Sequence, residues 1–218
     1  MATRALALFD FDGTITRGDS LLGYLIGYLR EHPARLLRLP LVTPQLLRSS
    51  IIGIDPGGLK SAWIRMVLGG RTRAELAAWT TRFVPHLIGS GLNADALTVV
   101  AAHADAGDHT VLLSASPDLY VPSVAQALGF AETICTGLEW RGDRLTGALA
   151  TPNRRGVEKV RCVEALRVRY PELPIVAYAN AMSDLAHLAL ADRGTLVNGS
   201  ARARRAAMRL GLPSATWR

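Results

Sequence analysis

Cysteine and lysine are scarce in this chain. Only Cys135 and Cys162 occur among its 218 residues, in unrelated segments without metal-type spacing. That excludes a disulfide scaffold or zinc knuckle and points to a reducing cytoplasm. Only Lys60 and Lys159 are lysines, so the net charge of +7 rests almost wholly on arginine. The arginines are scattered and lack the aromatic interleaving of a single-strand binder, so no nucleic-acid partner is expected. Long apolar runs are missing too. "SLLGYLIGYL" at 20–29 is about half of what spans a bilayer, and the next run is cut by Arg35, Arg38, Pro40 and Pro44. The first residues lack the charged lead, apolar core and cleavage site of a secretory signal. What remains, 49% hydrophobic and 20% charged, is the composition of a chain that folds around a core.

Five short apolar runs read as buried strands: Ala5 to Phe9, Thr110 to Leu113, Thr133 to Cys135, Ile175 to Tyr178 and Thr195 to Val197. Helical patterns alternate with them. "SPDLYVPSVAQALG" opens with Ser116 as a helix N-cap and Pro117 at the first helical position. "GVEKVRCVEALRVRY" puts Val157, Val160, Val163, Leu166 and Val168 on one apolar stripe. "DLAHLALAD" and "ARARRAAMRLG" follow the last two strands. The alternation predicts an α/β fold: a doubly wound parallel sheet with its site at the carboxyl ends of the strands.

The first crossover breaks the rhythm, because about a hundred residues separate Asp12 from the second strand, far more than an ordinary connection. Helices are expected over Ser20 to Arg30, Ala34 to Ile52, Gly58 to Leu68 and Arg73 to Leu87, the last opened by a capping box, Thr72 to Glu75. "NADALTVVAAHADAG" returns the chain to the sheet. The expected division is a core of residues 1–16 and 90–218 with an inserted all-helical cap of residues 17–89. "TGLEWRGDRLTGAL" reads as a β-hairpin turning at Arg141 to Asp143, a small appendage.

The first strand ends in "DFDGT". Asp10 and Asp12, two residues apart on a strand, point to the same side at the sheet edge. Unpaired, that arrangement is repulsive, and Mg2+ is the cation that removes the repulsion with oxygen ligands. Gly13 permits the sharp exit and Thr14 orients the loop.

"DFDGTIT", "LLSAS", "GVEKV" and "YANAMSDL", in that order, resemble the four motifs of the haloacid dehalogenase superfamily, and the match spans nearly the whole chain. A helical cap between the first and second motifs is similar to the subgroup, subfamily IB, that contains phosphoserine phosphatase. The resemblance implies a Mg2+-dependent phosphatase acting through an aspartyl-phosphate. In it, Asp10 is the nucleophile and Asp12 the proton donor and acceptor. Ser114 hydrogen-bonds the phosphoryl group, with the amides from Ala115 onward helping at the start of a helix, and Lys159 neutralises its charge. The metal ligands implied are Asp10, Asp12, Asn180 and Asp184. Asn180 stands where the family usually has aspartate, which weakens the metal's hold, and Asp184 is also placed to pair with Lys159. Asp19 replaces a glutamate that receives the amino group of phosphoserine, or else caps the helix from Ser20; Arg65 is the candidate for the rest of such a substrate.

The expected partner is therefore a small phosphorylated substrate such as phosphoserine. The leucines and arginines of "YLREHPARLLRLPLVTPQLLRS" leave an alternative, peripheral contact with anionic lipid by a phosphatidylglycerophosphate-type headgroup phosphatase. The first expectation for that stretch is leucines packed within the cap and arginines facing water. A phosphomutase, and a HAD-fold binding protein with little catalysis, complete the alternatives.

Overall fold

The computed structural model describes residues 4–44 and 56–218. Those residues form strands β1 (Leu6–Phe9), β2 (His109–Pro117), β3 (Glu132–Thr136), β4 (Leu138–Arg141), β5 (Arg144–Leu149), β6 (Ile175–Ala179), β7 (Arg193–Val197) and β8 (Ser214–Ala215). Their helices are α1 (Ser20–Glu31), α2 (Pro56–Leu68), α3 (Arg73–Ser90), α4 (Ala94–Asp105), α5 (Val121–Ala127), α6 (Val157–Arg169), α7 (Leu185–Leu190) and α8 (Ala201–Arg209). The sheet runs β3-β2-β1-β6-β7-β8 and every pairing in it is parallel. β4 and β5 form a separate antiparallel hairpin.

All four residues of β1 are buried, as a central parallel strand requires. Alternation assigns their side chains: Leu6 and Leu8 pack with α6, α7 and α8, while Ala7 and Phe9 pack with α4 and α5 on the other face. That second cluster continues into the helices between β1 and β2, through Tyr24, Tyr28, Trp79 and Phe83. Tyr24 stacks on Tyr120 with ring centroids 4.8 Å apart, and its hydroxyl shares a 2.8 Å hydrogen bond with that of Thr80. The capping box forms as expected, with Thr72 accepting from the Glu75 N–H and Glu75 accepting from the Thr72 N–H.

Several expectations are corrected. Strand β2 continues through Ser116 to Pro117, and α5 begins only at Val121, so Ser116 is no helix cap. On α6 the buried face is Lys159, Cys162, Val163 and Leu166, while Val157 and Val168 are exposed. The true i, i+3, i+4, i+7 stripe starts with a lysine, which hides it from a hydrophobic reading. The hairpin is no appendage. Ser61 donates to the Gly147 carbonyl at 2.8 Å, and backbone bonds join Gly70 to Leu145 and Leu145 to Arg71, so β5 braces α2. Between α1 and α2 the chain forms a tight helical segment, Pro33–Leu41, with arginine and leucine in the reverse of the expected places. Arg35 is buried and donates to the Gly69 carbonyl at 3.1 Å, whereas Leu36, Leu37 and Leu39 are exposed, Leu37 by 85%. The carbonyls left over where α2 ends attract the guanidinium inward. The remainder of the helix expected over Ala34 to Ile52, from residue 45, lies outside the described residues.

Among the described residues no helix is long and apolar enough to cross a membrane. Both cysteines are free thiols.

Candidate active site

Asp10 follows β1 directly, and its N–H still donates to the Tyr178 carbonyl of β6 at 2.9 Å, so the sheet fixes the carboxylate at its carboxyl edge. The chain then makes one wide turn, Phe11–Ile15, in which Gly13 takes φ 79°. A side chain at Gly13 would be strained by that angle and would collide with the Asn180 amide. Asn180, just past β6, therefore lies directly against the turn.

The Asp10 carboxylate is 8% exposed. It accepts from Lys159 Nζ at 2.5 Å and from the Thr14 hydroxyl at 3.0 Å. Lys159 comes from the first turn of α6, is itself buried, and also contacts Asp184 Oδ1 at 3.1 Å. Burial pushes the Asp10 carboxyl up to about 6, with Lys159 pulling it back and Asp184 adding to the rise. Burial works against the charge of Lys159, but the two carboxylates outweigh it and hold the ammonium above the ordinary lysine range. Asp184 is oriented by the Ala181 N–H at 3.2 Å.

Asp12 turns the other way. One oxygen accepts from the Ser20 N–H at 2.6 Å and the other from the Ser116 hydroxyl at 2.5 Å. Burial raises its pKa, and those bonds offset part of the rise. Ser20 in turn shares a 2.8 Å hydrogen bond with the Tyr120 hydroxyl, tying α1 to the end of β2. Ser114 is fully buried and its hydroxyl accepts from the Ser116 N–H at 2.9 Å. Ala115 lies in the strand and not at a helix start; its carbonyl accepts from Thr136 Oγ1 at 2.7 Å and from Lys60 Nζ at 2.6 Å.

The structure thus brings together Asp10, Asp12, Gly13, Thr14, Ser114, Ala115, Lys159, Asn180 and Asp184. It does not bring in Arg65. Lys60 faces the site, and five residues further along a helix of 3.6 residues per turn is a rotation of about 140°. Arg65 is accordingly exposed, with its backbone against the hairpin where a β-carbon on Gly147 would sit 2.5 Å from its Cα. Asp19 is exposed and caps α1, accepting from the Leu22 N–H at 2.9 Å.

Three participants were not anticipated. Ser116 holds Asp12. His187, buried one turn after Asp184 with Nδ1 3.8 Å from Asp184 Oδ1, has that nitrogen unpartnered; burial first, and then Lys159, push its pKa down to about 4, so it is neutral. Its signal is the i, i+3 spacing to Asp184. Lys60 reaches in from α2. Composition carries its signal: two of the chain's 25 basic residues are lysines, and both stand at this site.

Among the described residues no three His, Cys, Asp or Glu side chains are arranged to hold a metal ion. The oxygen chemistry still suits magnesium, which takes one or two protein ligands and fills its shell with water and phosphate. Asp10 and the Asn180 amide beside Gly13 meet that demand. The Asp12 and Asp184 carboxylates, like that of Asp10, already accept hydrogen bonds, Asp12 from Ser20 and Ser116 and Asp184 from Lys159 and Ala181.

A model of the haloacid dehalogenase-like hydrolase family matches residues 7–189. Protein CicA of Caulobacter vibrioides is 33% identical over 189 residues, covering 86% of this chain and 83% of that protein. Phosphoserine phosphatase SerB1 of Mycobacterium tuberculosis is 25% identical over 232 residues, covering 97% and 75%. A solved protein of unknown function from Bordetella pertussis Tohama I superposes with a TM-score of 0.83 at 25% identity, covering 98% of this chain and 99% of that one.

Proposed function

The chain belongs to the haloacid dehalogenase-like hydrolase family, and from that premise we propose that it hydrolyses phosphomonoesters, with Asp10 as nucleophile and helices α1–α3 as a cap over the site. The observation that carries this reading is the buried triad in which the Lys159 ammonium bridges the Asp10 carboxylate at 2.5 Å and that of Asp184 at 3.1 Å. An Asp10 oxygen attacks phosphorus, the bond from phosphorus to the alkoxy oxygen breaks, and the electron pair leaves with the alkoxide. Asp12, held by Ser116 and Ser20, gives that oxygen its proton and later takes one from the water that splits the aspartyl-phosphate, which frees Asp10 and inorganic phosphate. Lys159 neutralises charge on the phosphoryl oxygens, and Ser114 anchors the end of β2 beside them. Asp10 and Asn180 would hold magnesium, which offsets the charge of carboxylate and phosphate as they approach.

A small phosphorylated metabolite such as phosphoserine is the leading substrate class, supported by the SerB1 relative. The exposed Leu36, Leu37 and Leu39 favour a second reading, a phosphomonoester on a lipid headgroup. Phosphate release from 4-nitrophenyl phosphate, phosphoserine and phosphatidylglycerophosphate vesicles, each with magnesium and with chelator, tests both. We expect magnesium-dependent turnover that falls at least a thousandfold in Asp10→Asn, and a preference for the soluble ester. Undiminished turnover in Asp10→Asn would sink the mechanism, and preferential release from vesicles would select the second reading.

A further inference from the structure

The short helical segment Pro33–Leu41 turns two guanidiniums onto one backbone carbonyl: Arg35 Nη1 and Arg38 Nη1 donate to the Gly69 oxygen at 3.1 and 2.9 Å. A single donor satisfies that carbonyl, and Arg144 already serves the next one, Gly70, at 2.8 Å. The negative end of the α2 dipole amounts to about half a charge, set against two full positive ones. Among the described residues neither Arg35 nor Arg38 has an ion-pair partner, whereas Arg71 pairs with Glu75 at 2.8 Å and Glu31 with Arg82 at 2.7 Å. Arg35 is only 7% exposed, and its Nε has no hydrogen-bond partner there. Burial first, and then the charges of Arg71 and Arg38, pull its pKa below the ordinary arginine value. A surplus of positive charge therefore faces an open cavity of about 540 Å³ whose walls include His32, Arg35, Arg38 and Arg71. That cavity shares no wall with the Asp10 cluster. It lies where α2 ends, nine residues beyond Lys60, or about 13.5 Å along the helix. From the same segment Leu36, Leu37 and Leu39 project into water, Leu37 by 85%.

We propose that this segment docks the chain on a membrane surface, with the phosphate of an anionic phospholipid seated between Arg35 and Arg38 and the leucines entering the acyl boundary. The two features select this occupant together. A guanidinium fork matches the oxygens of any phosphate, but a free phosphate would leave the leucines in water. Apolar side chains interleaved with basic ones are what an interfacial segment needs. The net charge of +7 acts in the same direction, drawing the chain toward an anionic leaflet. Docking is separate from catalysis: the lipid occupies this cavity whatever ester Asp10 receives.

Flotation of the full chain with vesicles of phosphatidylcholine, with and without phosphatidylglycerol, reads the docking without turnover. We expect retention on the anionic vesicles alone. Apparent affinity for them should fall at least tenfold in Arg38→Gln and in Leu37→Ser, both at exposed positions, and change little in Arg205→Gln, an exposed arginine of α8. Equal losses in Arg38→Gln and Arg205→Gln would overturn the site, because net charge alone would then account for the binding. Undiminished retention of Leu37→Ser would overturn the lipid assignment. So would a chain that ignores both vesicles, including one that takes up inorganic phosphate in calorimetry and loses that uptake in Arg38→Gln.

Discussion

Lys159 lies between Asp10 at 2.5 Å and Asp184 at 3.1 Å, with all three side chains buried. Removing one partner of a buried charge pair leaves the other uncompensated, at a cost of about 3–5 kcal/mol. Lys159→Met should therefore lower the unfolding free energy by about 3 kcal/mol at pH 7.5 in urea titrations. The sign with pH follows from the stranded acids. Without the ammonium, burial raises the folded-state pKa of Asp10 above its unfolded value even further than now. A raised acid binds protons more readily in the folded state, so stability is lost as pH rises through that pKa and regained as it falls. The deficit should narrow between pH 7.5 and 5.5; one that does not change with pH would contradict this account of the triad. At this scale the sequence was legible where chemistry makes a pattern: Asp10 and Asp12 at a strand end, and Gly13 after them. It was ambiguous where one residue type serves two uses. Ser116 before proline has the signature of a helix cap but donates to Asp12, and Asp19, placed to meet a substrate amine, caps α1. Lys60 has no local pattern at all, because what places it is the packing of α2 against the core.

The hairpin β4–β5 is the element whose role local patterning could not reveal. Its turn chemistry was legible, and the observed turn lies between Arg141 and Arg144 as expected. Its partner was not, since docking against α2 is set by tertiary shape. Gly147 has φ 86°, and a β-carbon there would sit 2.5 Å from the Arg65 Cα. Gly147→Ala should push α2 off the hairpin and carry Lys60 away from Ala115. Overpacking of this kind costs about 1–3 kcal/mol, and kcat/KM for phosphoserine should fall several-fold together with stability. Measured in parallel by urea titration and steady-state kinetics, wild-type values in both would show that the hairpin does not position α2. The helix α6 makes the complementary point. Its boundaries followed from periodicity, yet its inward face was misjudged because the first inward residue is Lys159, a functional residue breaking the hydrophobic pattern.

Across the whole molecule, the alternation of strands and helices announced a parallel sheet, and the long first crossover announced a helical insertion. The strand order could not be read, because pairing between distant strands leaves no local trace, and β8 is two residues long, too short to register. That order matters for function. It sets β1 between β2 and β6, so the loops that carry Asp10, Ser114 to Ser116 and Asn180 leave neighbouring strands at one edge, where ligands of open parallel sheets bind. The arginine-rich charge is largely spent elsewhere: on α8, Ala203 and Ala207 are buried while Arg202, Arg204, Arg205 and Arg209 stay in water. The central claim is that this edge transfers a phosphoryl group to Asp10. Acid quenching during turnover of 4-nitrophenyl phosphate with magnesium, followed by proteolysis and mass spectrometry, tests it directly. The account predicts one phosphoryl group on the peptide containing Asp10, sensitive to base and absent in Asp10→Asn; active turnover with no phosphoryl group on that peptide would contradict it.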